Sequence, residues 1–119
     1  MRRYSPANTL TRASLHIHAV LAYVREVRQP RVASLTASEA QDVRMELLAK
    51  VKKLTDELFA IRNAKQLAEE GQLHVYRALT VLIRVENSIL NDAALDEIQA
   101  MLESADGEIS QAQQSKKGG

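Results

Sequence analysis

Two histidines separated by one residue, His16 and His18 in the stretch SLHIHAV, are the first side chains of this chain whose spacing suggests chemistry. A third, His74, opens the similar stretch LHVYRAL. On a helix, His16 and His18 lie about 200° apart and cannot hold one ion together. A zinc site ordinarily takes three or four protein ligands. With three histidines and no cysteine, a metal would have to recruit carboxylates such as Glu70, one turn before His74. The expectation is therefore no metal and no cofactor, with each histidine at the boundary of a packed core and bonded to a backbone carbonyl.

Other catalytic patterns are weak or missing. Gly71, Gly107, Gly118 and Gly119 are isolated or terminal and make no phosphate-cradling loop. Serines and aspartates are scattered in places suited to helix caps and solvent-facing positions. The neighbouring carboxylates Asp56-Glu57, Glu69-Glu70 and Asp96-Glu97 splay around a helix instead of converging. One constellation remains: Arg12, followed after five residues by His18. This resembles the motif of the HEPN ribonucleases, small helical proteins carrying arginine, four to six residues, then histidine. The resemblance covers that short segment alone. It departs from the family at Ala13, where a polar residue is common, and in lying near the N-terminus instead of late in the bundle. It implies metal-independent RNA cleavage, with Arg12 on the phosphate and His18 as general acid. That is the alternative to a protein with no catalytic residues.

The elements that must position these side chains are helical. The 119-residue chain is 45% hydrophobic and 26% charged, the balance of one globular domain, and its 3% aromatic content leaves aliphatic residues and good helix formers to build the core. The absence of cysteine excludes disulfides and thiol chemistry and fits a reducing compartment, so a cytoplasmic location is expected. No stretch approaches the ~20 apolar residues that span a bilayer.

A first helix is expected from Ser5-Pro6, cap and first helical residue, through Leu10, Ala13, Ile17, Val20 or Leu21, Val24 and Val27 to Pro30. The stretch TASE, Thr36 to Glu39, is a capping box with Leu35 as its staple. It opens a long second helix whose stripe runs through Ala40, Val43, Leu47, Val51, Leu54, Leu58, Ile61 and Ala68, with a break near Asn63 as the alternative to one continuous rod. The third segment, LHVYRALTVLIRVENSIL, alternates as a strand would, but has no second strand to pair with. It is predicted to be the central helix because it is apolar almost all round. Asn91 or Asp92 should cap a fourth helix with the stripe Leu95, Ile98, Met101 and Leu102, closed at Asp106-Gly107. Residues 1–107 should form one helical bundle, and residues 108–119 a flexible C-terminal tail.

The segments also echo one another. Leu15, His16, Ile17, His18 and Leu21 align with Leu73, His74, Val75, Tyr76 and Leu79. Leu35, Thr36, Ala40, Asp42, Val43 and Leu47 align with Leu90, Asn91, Leu95, Glu97, Ile98 and Leu102 at an offset three residues shorter. The expected fold is all-α: a four-helix bundle built from two hairpins, with internal duplication and chance phasing of stripes both open as its origin.

Charge is unevenly spread along the chain. Residues 1–35 carry six arginines against Glu26, and residues 72–115 carry Arg77 and Arg84 against seven acidic residues. This predicts a basic end and an acidic end. Arg25, Arg28 and Arg31, with Lys50, Lys52 and Lys53, are the candidate nucleic-acid-binding residues, suited to backbone phosphates and not to bases. The expected function is that of a non-catalytic interaction protein, a small subunit or an accessory regulator (inhibitor or adaptor) of a larger protein or nucleoprotein complex. Its expected partner is another protein or a further copy of itself, with no membrane and no small-molecule substrate.

Overall fold

The computed structural model describes residues 6–28, 36–61 and 69–114. They form four helices: α1 (Pro6–Val27), α2 (Ala37–Ile61), α3 (Glu69–Leu90) and α4 (Leu95–Gln114). Each helix packs on the next and α4 closes on α1, so the order around the bundle follows the chain. Cross-helix pairs run antiparallel at every seam: His16 meets Glu57 while Tyr23 meets Lys50, and His74 meets Glu108 while Ser88 meets Met101. The fold is thus an up-down-up-down four-helix bundle.

Its core is aliphatic, as the composition requires. Ile17 and Val24 from α1, Leu47, Leu54 and Leu58 from α2, Leu82 from α3, and Ile98 and Leu102 from α4 are all at most 1% exposed. The stripes expected for α1 and α2 are the buried ones, with Val27, Ala40 and Val43 half-buried at the ends. Pro6 begins α1 as expected. The capping box forms in full: the Thr36 N–H donates to Glu39 Oε1 at 2.9 Å, and the Glu39 N–H donates to Thr36 Oγ1 at 3.1 Å. The expectations for Ser5, Pro30, Leu35, Asn63 and Ala68 lie outside the described residues.

Four expectations are corrected. The third segment is a helix, but not a central one; α3 is one of four staves around the core, packed most extensively on α4, with a solvent-facing side of its own. Its strand-like alternation arises because two apolar rows, one buried and one exposed, occupy different sides of one helix. Asp92 does not cap α4. It closes α3 in the left-handed conformation, φ 58°, with its N–H donated to Ile89 O at 3.2 Å and the Ala93 N–H donated to Ser88 O at 2.9 Å. Those two bonds are a Schellman motif, which satisfies the last carbonyls of α3. Nor does α4 stop at Gly107. It continues to Gln114, with Ile109 and Ala112 buried, because each falls one helical step further along the stripe of Ile98, Leu102 and Ala105.

The fourth correction concerns the register of the echo. Buried Ala13, Ile17, Leu21 and Val24 of α1 correspond to buried Gly71, Val75, Leu79 and Leu82 of α3, in the register read from the sequence. In the second pair, buried Leu47, Val51, Leu54, Leu58 and Ile61 correspond to Ile98, Leu102, Ala105, Ile109 and Ala112. That places Leu47 opposite Ile98 and not opposite Leu102, one turn from the alignment of the caps.

Candidate functional site

Each histidine is paired with a carboxylate on another helix, not with a backbone carbonyl. His16 Nδ1 lies 2.7 Å from Glu57 across the α1–α2 seam, His18 Nε2 lies 3.0 Å from Asp106 across α1–α4, and His74 Nδ1 lies 2.6 Å from Glu108 across α3–α4. His16 and His74 occupy matching places on α1 and α3 and take the same partner type from the following helix. Three pairs at three seams divide the histidines, and among the described residues no three metal-ligating side chains gather at one point. Arg12 and His18 lie about 120° apart around α1 and about 9 Å apart along it. The His18 ring is turned to α4, so the helix does not present the two on a common face.

The five candidate phosphate contacts that lie among the described residues do not form one patch. Arg25 reaches Glu103 of α4 at 3.4 Å, and Arg28 donates to Gln99 of α4. Lys50 pairs with Glu46 one turn away at 3.7 Å and lies 5.2 Å from the centre of the Tyr23 ring. Burial, and then the nearby carboxylates of Glu46 and Glu26, raise the Tyr23 phenol above its ordinary range. Lys52 and Lys53 are exposed on α2 with no ion pair among the described residues, and Arg31 lies outside those residues. Lys50 and Lys53 rim a shallow groove of about 200 Å³ between α1 and α2, together with His16, over Ala19, Val20 and Leu54.

The fold brings part of the basic and acidic segments together. Because α1 and α4 are antiparallel neighbours, the arginine-rich end of α1 lies against the acidic first half of α4. His18, Arg25 and Arg28 reach across that seam at the surface, to Asp106, Glu103 and Gln99. Arg25 and Glu103, distant in sequence, are thereby paired at the surface.

The most conspicuous surface is apolar. Among the described residues, seven large apolar side chains are exposed, and six of them lie on α2 and α3: Met45, Phe59, Leu73, Tyr76, Ile83 and Leu90. On α3 the row Leu73, Tyr76, Thr80, Ile83, Asn87, Leu90 is spaced alternately by three and four residues, and every member is exposed. This is the a/d spacing of a coiled-coil seam, here with no helix laid on it. Two seams between elements fix its surroundings. Glu86 meets α2 through Thr55, whose hydroxyl lies 2.9 Å from that carboxylate. His74 and Ser88 meet α4 on the other side. At the foot of the face Arg44 of α2 donates to Ala93 O at 2.7 Å and lies 3.6 Å from Asp92, tying α2 to the α3–α4 turn. The signal is present in the sequence as a second heptad row beside the buried one, and the core does not reach its apolar members.

No helix among the described residues is long and apolar enough to cross a membrane. Comparison with known proteins finds no matching family model, no matching curated protein and no matching solved structure.

Proposed function

We propose that this is a non-catalytic helical docking protein, a small subunit or accessory regulator of a larger protein or nucleoprotein assembly, that binds through the outer face of α3 and its α2 flank. The observation that carries this reading is the exposed heptad row on α3. Exposed apolar side chains recurring at regular spacing along one helix face are costly to leave in water and have the form in which helices recognise helices. Where the assembly contains nucleic acid, backbone contact falls to Lys52 and Lys53 with Lys50, since Arg25 and Arg28 are engaged by α4.

Affinity capture from the native host, with and without nuclease, tests the reading. A defined protein set should survive nuclease and be lost when Tyr76→Glu and Ile83→Glu are combined, two exposed changes that leave the core intact. Retention unaffected by those changes, or no retained protein at all, counts against it. RNA should stay intact with the pure chain. Cleavage abolished by both Arg12→Ala and His18→Ala would establish the ribonuclease instead.

A further inference from the structure

Resting on the reading of α3 as a docking face, we infer that its occupant is α3 of a second copy, laid parallel and in register to form a two-stranded seam between two bundles. Three features of the row point to a copy of itself. First, all six seam positions are uncharged, which suits a contact that repeats each residue against itself across a twofold axis. Second, Asn87 occupies an a position. In a parallel pair its amide meets the other Asn87 amide, each supplying a donor and an acceptor, and a single polar a layer is the device that fixes register and two-strandedness. Thr80 meets Thr80 in the same way, and Leu73, Tyr76, Ile83 and Leu90 form the apolar layers between.

Third, the two edges of the row differ in charge. Arg77 and Arg84 line the edge toward α4, both exposed and without an ion pair among the described residues. On α3 the edge toward α2 carries Gln72, buried Leu79 and half-buried Glu86, and no cation. A parallel pair sets the arginine edge of each copy against the α2-side edge of the other. An antiparallel pair sets Arg77 of each copy against Arg84 of the other, like charges along one side of the contact. The apolar area is modest, a few hundred Å² per copy, near the lower limit for a specific interface, so association should be about micromolar and reversible.

The chain has no cysteine, so single cysteines report the geometry without interference. Leu73→Cys and Leu90→Cys, introduced separately, should each give a disulfide-linked dimer under mild oxidation. Leu15→Cys on the outer face of α1 should not. In an antiparallel pair Leu73 and its copy would be about 25 Å apart, far beyond disulfide reach, so failure of both single variants to cross-link overturns the arrangement. Sedimentation equilibrium of the unmodified chain should show a monomer–dimer equilibrium, with at least a tenfold weakening in Tyr76→Glu and an unchanged helical spectrum. A chain that is monomeric at all concentrations overturns self-association. If that monomer still captures a partner that Tyr76→Glu/Ile83→Glu releases, the docking reading survives and only the occupant is wrong.

Discussion

Asp92 holds a backbone conformation that L-residues with a Cβ adopt at a cost, and it does so at the C′ position of α3, where glycine is the usual occupant. Its side chain is mostly in water and lies 3.6 Å from Arg44, a weak tether. Asp92→Gly should therefore raise stability by about 1 kcal/mol, read as a higher urea midpoint. A lower midpoint would mean that the Arg44 contact outweighs the strain. The capping box of α2 offers a second residue-scale test. The Thr36 backbone N–H, and then the Thr36 side chain, hold the Glu39 carboxyl below the ordinary glutamate range. A depressed folded value means that the ionised group stabilises the fold above that range, and that this contribution is lost as pH falls through the folded value. The stability gap between the unmodified chain and Glu39→Gln should accordingly close in acid. Thr36→Ala should cost about 1 kcal/mol at neutral pH. A gap that persists at low pH would place the role of Glu39 in something other than its charge.

Among the elements, α4 separates what periodicity makes legible from what it does not. Its stripe, Ile98 and Leu102, was readable from spacing, and so were the stripes of α1 and α2. Its end was not, because an Asp-Gly pair reads as a stop. Here Gly107 lies on the exposed side and costs the helix little enough that Ile109 and Ala112 still reach the core. Ile109→Ala should destabilise the bundle by about 2–5 kcal/mol, the range for a fully buried aliphatic side chain. A loss near zero would mean that the end of α4 is frayed. A Cβ at Gly107 meets nothing within 4 Å, so Gly107→Ala should stabilise by about 1 kcal/mol in thermal or urea unfolding. The first helix hairpin carried its own start signals in Pro6 and the Thr36–Glu39 box. The turn between α3 and α4 did not, because Asp serves equally as an N-cap and as a left-handed C-cap, and only the tertiary contacts of Ala93 and Arg44 decide between them. The row on α3 was legible in spacing but not in meaning. Hydrophobic periodicity marks an apolar face without saying whether the partner lies in the same molecule.

For the whole molecule, the antiparallel order of the helices redistributes the charge counted along the chain. It brings Arg25 of α1 against Glu103 of α4 and His18 against Asp106, so part of the segment imbalance is offset across that seam, and the exposed cations without an ion pair among the described residues include Lys52 and Lys53 of α2 and Arg77 and Arg84 of α3. What distinguishes the outside is apolar: the α3 row and its α2 flank. The most direct measurement is site-specific photo-cross-linking in the native host, with a photoreactive residue placed at Ile83 on that row and, as the control, at Leu15 on α1. Both positions are exposed, so equal reactivity is the outcome of random encounter. The docking account expects a discrete adduct from position 83, at twice the chain mass for a second copy or at the chain mass plus that of another partner, and none from position 15. No adduct at 83, or the same smear of adducts at both positions, would contradict it.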